Sequence, residues 1–291
     1  MNTERKLAQS LGVDFKLENI KIGDYFINYI VAGEGEPVLL IHGGNIGWGQ
    51  WYLNIPELSR HFKVYALDLP GAGRSTRIDY SKLNLDRDFV DVVDQFIKLK
   101  NLNDVNIVGS SIGGWIALKL ALKDNPRINR LVLVDSLGFT DYVSFSNRII
   151  GIYPVAKIIS KTILRPHREN KNVEKFLRSV LHDPDLPLKK EFIDYFYETM
   201  ETSHNILFFS CLSSIFGINK ELILRNELPR IRNNTLIVWG KNDKLLPLEK
   251  NRDSFKLIQY AQVGIIENSH HMPFIEKYAE FNKLIIDFLK S

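Results

Sequence analysis

The chain has 291 residues, 45% hydrophobic and 25% charged, which is ordinary for a globular protein with a sizeable core, built as one domain or one domain with an insertion. Its 38 basic and 34 acidic residues leave a formal charge of +4. The Lys and Arg residues are scattered and mixed with acids, which argues against a nucleic-acid partner.

Phe15 to Ile22 and Tyr25 to Val31 read as two strands around Gly23-Asp24, a hairpin. Gly33 to Pro37 is a turn. Val38 to Ile41 is a short apolar strand of the kind buried in a parallel sheet, and it ends in His42-Gly43-Gly44-Asn45. Trp51 to His61 reads as a helix. Val64 to Asp68 is another strand, running into Leu69-Pro70-Gly71-Ala72-Gly73-Arg74-Ser75. Leu85 to Leu99 has helical spacing, with Phe89, Val92, Val93 and Phe96 on one face.

Val105 to Gly114, V-N-I-V-G-S-S-I-G-G, organises the rest. An apolar run stops at a glycine, and a helix-compatible stretch from Trp115 to Lys123 follows. Gly109-Ser110-Ser111-Ile112-Gly113 fits the pattern G-x-S-x-G, a strand, a tight turn and a helix. In such a turn the middle residue is strained and its side chain is pushed outward. Gly109 and Gly113 are then needed, because a Cβ there would collide with the adjoining strand or helix. Ser111 would stand at a helix N-terminus, which favours developing negative charge. A phosphate-binding loop is the weaker reading, since there is no G-K-[S/T] ending and no G-x-G-x-x-G at the first strand.

Leu131 to Val134 is a strand ending at Asp135. Thr235 to Trp239 leads to Gly240-Lys241-Asn242-Asp243, and Val263 to Ile266 leads to Asn268-Ser269-His270-His271-Met272-Pro273. Glu276 to Leu289 closes the chain as an amphipathic helix. Strand and helix alternate, so the core should be a mostly parallel sheet covered on both faces. Ligands bind beyond the carboxyl ends of such strands. His42, Asp68, Ser111, Asp135, Asp243 and His271 all follow apolar strands. From about Gly138 to Asn233 the pattern changes to helical pieces with no convincing buried strand. Arg148 to Leu164 is rich in isoleucine, and Phe192, Tyr195, Phe196, Phe208 and Phe209 form an aromatic cluster. The expectation is a helical lid over the strand ends. Aromatics at helical spacing are, in general, more often plain core.

The sequence resembles the α/β-hydrolase fold superfamily. The resemblance rests on His42-Gly43-Gly44, the run from Asp68 to Ser75, the turn from Gly109 to Gly114, W-G-K-N-D ending at Asp243, and H-x-P-x-x-E from His271 to Glu276. It implies an eight-stranded, mostly parallel sheet covered by helices. The core is expected in residues 1–137 and 234–291, and the lid in 138–233. The order Ser…Asp…His is the one this fold uses.

The expected roles follow from chemistry. A serine hydroxyl requires a base, and a histidine is mostly neutral at pH 7. An acid holds the ring in the right tautomer. Ser111 is the expected nucleophile, His271 the base and Asp243 the acid. His271 stands two residues before a proline, as the resemblance requires, so His270 is expected to pack locally. Asp135 competes as acid, because some members of the fold carry it after that earlier strand. The oxyanion hole is expected from the N–H groups of Ile112 and Gly44, with Asn45 as the alternative to Gly44. Asn45, Trp48, Trp51, Phe208 and Phe209 are expected to contact substrate. His42 and the run from Asp68 to Ser75 are expected to be structural.

These residues point to a serine hydrolase that cleaves a small or medium apolar carboxylic ester through an acyl-enzyme. Carbon–carbon cleavage of a ring-fission diketone is the alternative, as is a non-catalytic ligand receptor on the same fold. Serine rather than aspartate at the elbow argues against a dehalogenase or an epoxide hydrolase. No zinc-type histidine spacing is present, so no metal and no cofactor are expected. The lone Cys211 excludes a disulfide framework. No apolar leader and no run of ~18 apolar residues is visible, so a cytoplasmic protein with no membrane span is expected.

Overall fold

The computed structural model describes residues 2–44, 46–142, 151–162, 171–202, 205–214 and 217–291. Strands β1 (Phe15–Ile22) and β2 (Tyr25–Ala32) form the expected antiparallel hairpin. Gly23 sits at φ +56° in its turn, a conformation that L side chains rarely adopt. Strands β3 (Pro37–Ile41), β4 (Lys63–Leu67), β5 (Val105–Ser110), β6 (Ile128–Val134), β7 (Thr235–Gly240) and β8 (Ala261–Ile266) complete the sheet. The eight strands lie in the order β1-β2-β4-β3-β5-β6-β7-β8, and only the pairings made by β2 are antiparallel.

Side chains on a strand alternate between faces, and β5 feeds both cores in this way. Ile107 packs into a cluster with Phe96 and Trp115 on one face. Val108 packs on the other, with Trp51 and Phe281. The central strands read as continuous apolar runs because both faces are covered. The helices doing so include α1 (Thr3–Gln9), α2 (Asp91–Leu99), α3 (Ile112–Leu122) and the closing helix, Tyr278–Lys290.

Three expectations change in detail. Trp51 to His61 is not one helix. It is a tight turn, Trp48–Trp51, followed by a four-residue helix, Ile55–Leu58, with Pro56 in its first turn. The N-terminal part of Leu85 to Leu99 is wound more widely than an α-helix from Asp86–Val90. There the Asp88 carboxylate takes hydrogen bonds from the Asn84 N–H and the Tyr25 hydroxyl. The last helix is broken at Lys277, after the short turn Pro273–Glu276. The Glu276 side chain is drawn back to accept from the His270 N–H at 2.8 Å.

Between β6 and β7 the described residues include the α-helices Tyr153–Thr162, Lys171–Ser179, Lys190–Thr202 and Asn205–Leu212. A two-residue strand pair, Ser213–Ser214 with Gly217–Ile218, is the exception to the expected all-helical segment. Residues 143–150 and 163–170, which hold Arg148 to Ile150 and both Ile163 and Leu164, are outside the described residues. Among the described residues no helix is long and apolar enough to cross a membrane.

Candidate active site

The turn after β5 has the geometry its glycines imply. Ser111 adopts φ +54° and ψ −115°, outside the region that L residues favour. A Cβ on Gly109 would lie 2.3 Å from the Gly113 carbonyl oxygen, and one on Gly113 would lie 2.3 Å from that of Ile41. Neither position tolerates a side chain without moving backbone. Ser111 is the residue before α3, so the unpaired N–H groups of the first helical turn point toward it.

Ser111 and His271 line one cavity, which encloses about 110 Å³. Around them stand Gly43, Gly44, Gln50, Phe196, Phe209 and Met272, with Leu177, Val180 and Leu245 completing the apolar wall. His271 Nδ1 lies 2.7 Å from Asp243 Oδ2. The other oxygen of Asp243 accepts from the backbone N–H groups of Leu245 and Leu246, at 2.7 and 3.0 Å. The carboxylate is thus held on both oxygens, and the imidazole is held by the carboxylate. With Nδ1–H donated to Asp243, the ring presents Nε2 as its free acceptor.

Asp135 ends β6 beside this pair. It is fully buried, and its Oδ1 accepts from the Gly240 N–H at 2.9 Å. Ligand atoms of Asp135, Asp243 and His271 all lie within 4.8 Å of one another. Such a donor set could hold a divalent cation. Here the direct Asp243–His271 hydrogen bond uses two of the three donors on each other. Burial, and then the Asp243 charge, push the Asp135 carboxyl well above the usual carboxylate range.

His270 turns away from the cavity. Its ring meets His182 edge-on at 5.1 Å, and burial moves it below the usual histidine range. His42 is structural in the way expected. Its Nε2 accepts from the Leu69 N–H at 3.0 Å, and its Nδ1 lies 3.2 Å from the Gly43 carbonyl. Those bonds suit a neutral ring, and burial lowers its pKa to about 4. Asp68 secures the next loop, accepting from the N–H groups of Trp48 and Arg74 at 2.7 and 2.8 Å.

The expected substrate contacts divide. Phe209 is on the cavity wall, 3.9 Å from where a Cβ on Gly44 would stand. Phe208 is not. It packs edge-on against Tyr80 and Phe89 in the core. Trp48 and Trp51 are also core residues rather than wall residues. Trp48 donates its indole N–H to Glu4 at 2.9 Å and packs on Tyr195, and Trp51 packs on Phe274 and Phe281. A large ring finds more buried area under the loop than in a cavity of this size. Asn45 lies outside the described residues.

Gln50 is a site residue that the sequence does not announce. It is 1% exposed and lines the cavity. Its Oε1 accepts from the Gly43 N–H at 3.1 Å, while its Nε2 is buried with no protein partner. An orphaned donor of this kind requires an explanation, and a ligand oxygen is one. No pattern surrounds Gln50 in the sequence that distinguishes it from a surface glutamine.

A family model described as alpha/beta hydrolase fold matches residues 36–153. The 2-hydroxy-6-oxo-6-phenylhexa-2,4-dienoate hydrolase of Comamonas testosteroni is 26% identical over 284 residues, covering 95% of this chain and 95% of its own. The 2-hydroxy-6-oxo-2,4-heptadienoate hydrolase of Pseudomonas putida is 27% identical, covering 89% of this chain and 91% of its own. Among solved structures, a meta-cleavage product hydrolase from Pseudomonas fluorescens superposes with a TM-score of 0.75 at 25% identity, covering 96% of this chain and 98% of its own.

Proposed function

Because the chain belongs to the α/β-hydrolase fold superfamily, we propose that it is a serine hydrolase that cleaves a carbon–carbon bond in a ring-fission dienoate carrying a short alkyl group. One observation carries this over ester cleavage. Two relatives named for 2-hydroxy-6-oxo dienoates match it along almost the full length of both chains. Phe209 supports the short alkyl group: it stands on the cavity wall beside Gly44, whose N–H would hold the C6 oxygen, and narrows the space for the C6 substituent.

Ser111 is the nucleophile of this reading, His271 the base and Asp243 the acid that orients it. Ser111 Oγ attacks the C6 carbonyl of the 2-oxo tautomer, and His271 Nε2 takes its proton. The N–H groups of Gly44 and Ile112 hold the oxyanion. Gly43 is not available for this, since its N–H is bonded to Gln50. The C5–C6 bond then breaks. Its electrons pass through C4 and C3 onto the C2 oxygen to give a dienolate. That oxygen takes the proton from His271 to leave the 2-hydroxydiene, since C5 already carries the proton that the 2-hydroxyl gave up in forming the 2-oxo tautomer. Water hydrolyses the ester left on Ser111, again through His271. Gln50 Nε2 donates to a substrate oxygen. Residues 138–233 serve as a lid on a core formed by 1–137 and 234–291, with Leu177, Val180, Phe196 and Phe209 among its contributions to the wall.

Ester hydrolysis, by the same triad, has an observation of its own. Among the described residues the cavity wall carries no Lys or Arg to pair with a dienoate carboxylate. The test compares kcat/KM for 2-hydroxy-6-oxohepta-2,4-dienoate, its 6-phenyl counterpart and p-nitrophenyl butyrate. The heptadienoate is expected to be preferred, with the phenyl ketone ~10-fold behind, the range of one misfitting group in an apolar pocket. Preference for the butyrate ester would overturn the carbon–carbon reading. No turnover of any of the three, with Ser111 inert to a fluorophosphonate, would leave a ligand receptor on this fold.

A further inference from the structure

We propose that Asp135 is a positioning residue of the same centre, an acid in reserve behind Asp243 that can orient His271 when Asp243 is absent. The inference rests on the triad reading above. It starts from topology. Strands β6 and β7 are parallel neighbours, paired from Leu131↔Thr235 to Val134↔Val238. Asp135 follows β6 directly, and Asp243 follows β7 after a short turn. Two acids therefore leave adjacent strand ends toward one imidazole, and their ligand atoms and that of His271 fall within 4.8 Å.

The side chain of Asp135 is only half used by the fold. Oδ1 receives the Gly240 N–H, and the backbone N–H of Asp135 reaches the Val238 carbonyl at 3.0 Å. Oδ2 is buried and receives no N–H; the side chain it meets is that of Asp243. A strand-end support would need one acceptor, which Asn or Ser supplies without the cost of burying an acid. The backbone at Asp135 is also strained, at φ +41°.

Charge decides which acid acts. Two carboxylates in one buried site do not both ionise readily. Asp243 is the more fully held of the two, with two backbone N–H groups on one oxygen and the His271 ring on the other. Asp135 has one N–H, and Asp243 and Glu276 both disfavour its ionisation. Asp135 therefore keeps its proton while Asp243 is present. Replacing Asp243 by Ala removes the repulsion and vacates the seat beside Nδ1. Asp135 then ionises and faces the imidazole across the space released. Asn at 243 does not release it, because its amide stays in the seat.

The readout is the rate at which a fluorophosphonate labels Ser111, which needs an oriented histidine but no particular substrate. It is measured from pH 5 to 9 for the wild type, Asp135→Asn, Asp243→Ala and the double variant. Asp243→Ala is expected to slow labelling ~10²-fold, and the double variant ~10⁴-fold, the loss typical of a serine triad with no acid. Asp135→Asn alone is expected to slow it only ~3-fold, so the two changes are far from additive. Labelling of Asp243→Ala should rise with pH as Asp135 ionises, and the double variant should lack that limb. If Asp135→Asn does not fold, Asp135→Ser replaces it, since its hydroxyl can still accept from Gly240. A double variant no slower than Asp243→Ala would overturn the proposal, and so would equal effects of the Asp135 change in both backgrounds. A wild type that is not labelled at Ser111 would instead overturn the hydrolase reading, and this inference with it.

Discussion

The turn after β5 and the helices between β6 and β7 face each other across one cavity, and they are constrained in opposite ways. On the turn, backbone decides the residue. Gly109 and Gly113 have carbonyl oxygens 2.3 Å from where a Cβ would stand, and a Cβ on Gly43 would meet Ser111 Cβ at 2.8 Å. On the helices only polarity and volume matter. Leu177, Val180, Phe196 and Phe209 line the cavity as apolar surface, and volume-conserving exchanges among such residues cost little. The contrast separates the two halves of the function. On the function proposed above, the chemistry falls to residues that cannot change and the choice of substrate to residues that can.

Ser111→Ala tests the first half most severely. It should abolish fluorophosphonate labelling and reduce turnover by ~10⁶-fold, the loss on removing a triad serine. The fold should survive, since the change only removes a hydroxyl. Labelling that persisted at Ser110, which also lines the cavity, would move the nucleophile by one residue.

Asp243→Asn should come next. Asn keeps the shape but presents the wrong partner to His271 Nδ1, so a fall in kcat of ~10⁴ is expected with little change in melting temperature. Asp135→Asn should cost far less in kcat. If the ranking reversed, β6 rather than β7 would carry the working acid.

This division also explains what could be read from the sequence. The sheet was legible because buried parallel strands are short apolar runs and chemistry gathers at their carboxyl ends. The turn was legible because its backbone admits so few residue types. The cavity wall was not. Phe208 and Phe209 are adjacent and chemically identical, yet one packs against Tyr80 and Phe89 and the other faces Gly44. Only the rotation of their helix distinguishes them. Trp48 and Trp51 mislead for a related reason. They lie in the loop that borders the site, but the helix Thr3–Gln9, which no strong pattern in the sequence marks, places Glu4 against the Trp48 indole. Gln50, two residues along, is the one whose amide reaches the cavity.

Phe209→Ala sharpens the comparison from the helical side. It should enlarge the cavity beside Gly44 and leave the catalytic groups untouched. The preference of the enzyme should move toward bulkier acyl groups by ~10-fold in kcat/KM, the scale of one hydrophobic group in a pocket. Phe208→Ala should instead lower stability by ~3–5 kcal/mol, as for a buried phenylalanine, and leave the preference alone. The paired measurement is kcat/KM for the methyl and phenyl ketones beside a thermal melt. Equal shifts in preference from both variants would mean that the wall is not where Phe209 puts it.

The smallest effect is expected away from the cavity, in the cluster beneath Trp48. Asn28 Nδ2 donates to both Glu4 Oε1 and Asp68 Oδ2, at 2.6 and 2.7 Å, which brings two buried acids together. Tyr195, Glu198 and Arg74 face them from the neighbouring elements, with Arg74 bonded to Glu198 and 3.9 Å from Glu4. Burial, and then Glu4, push Asp68 up to about 7 from an ordinary value of 3.8. The folded protein therefore holds a proton that the unfolded chain has lost. Its contribution to stability is intact below about 3.8 and declines as the pH rises toward 7. His42 acts in the opposite sense, because its pKa is lowered to about 4, so it costs stability as the pH falls below 6.5. The wild-type curve contains both slopes, and a difference between variants isolates one. Glu4→Gln retains an acceptor for Asn28 and Trp48 but removes the like charge. It should flatten the fall in melting temperature between pH 5 and 7 by about 3 °C, the shift that ~1 kcal/mol produces in a chain of this size. Its kcat/KM should stay within about twofold, since neither acid lines the cavity. An unchanged slope would mean that Arg74 already neutralises Glu4, and that Asp68 is raised by burial alone.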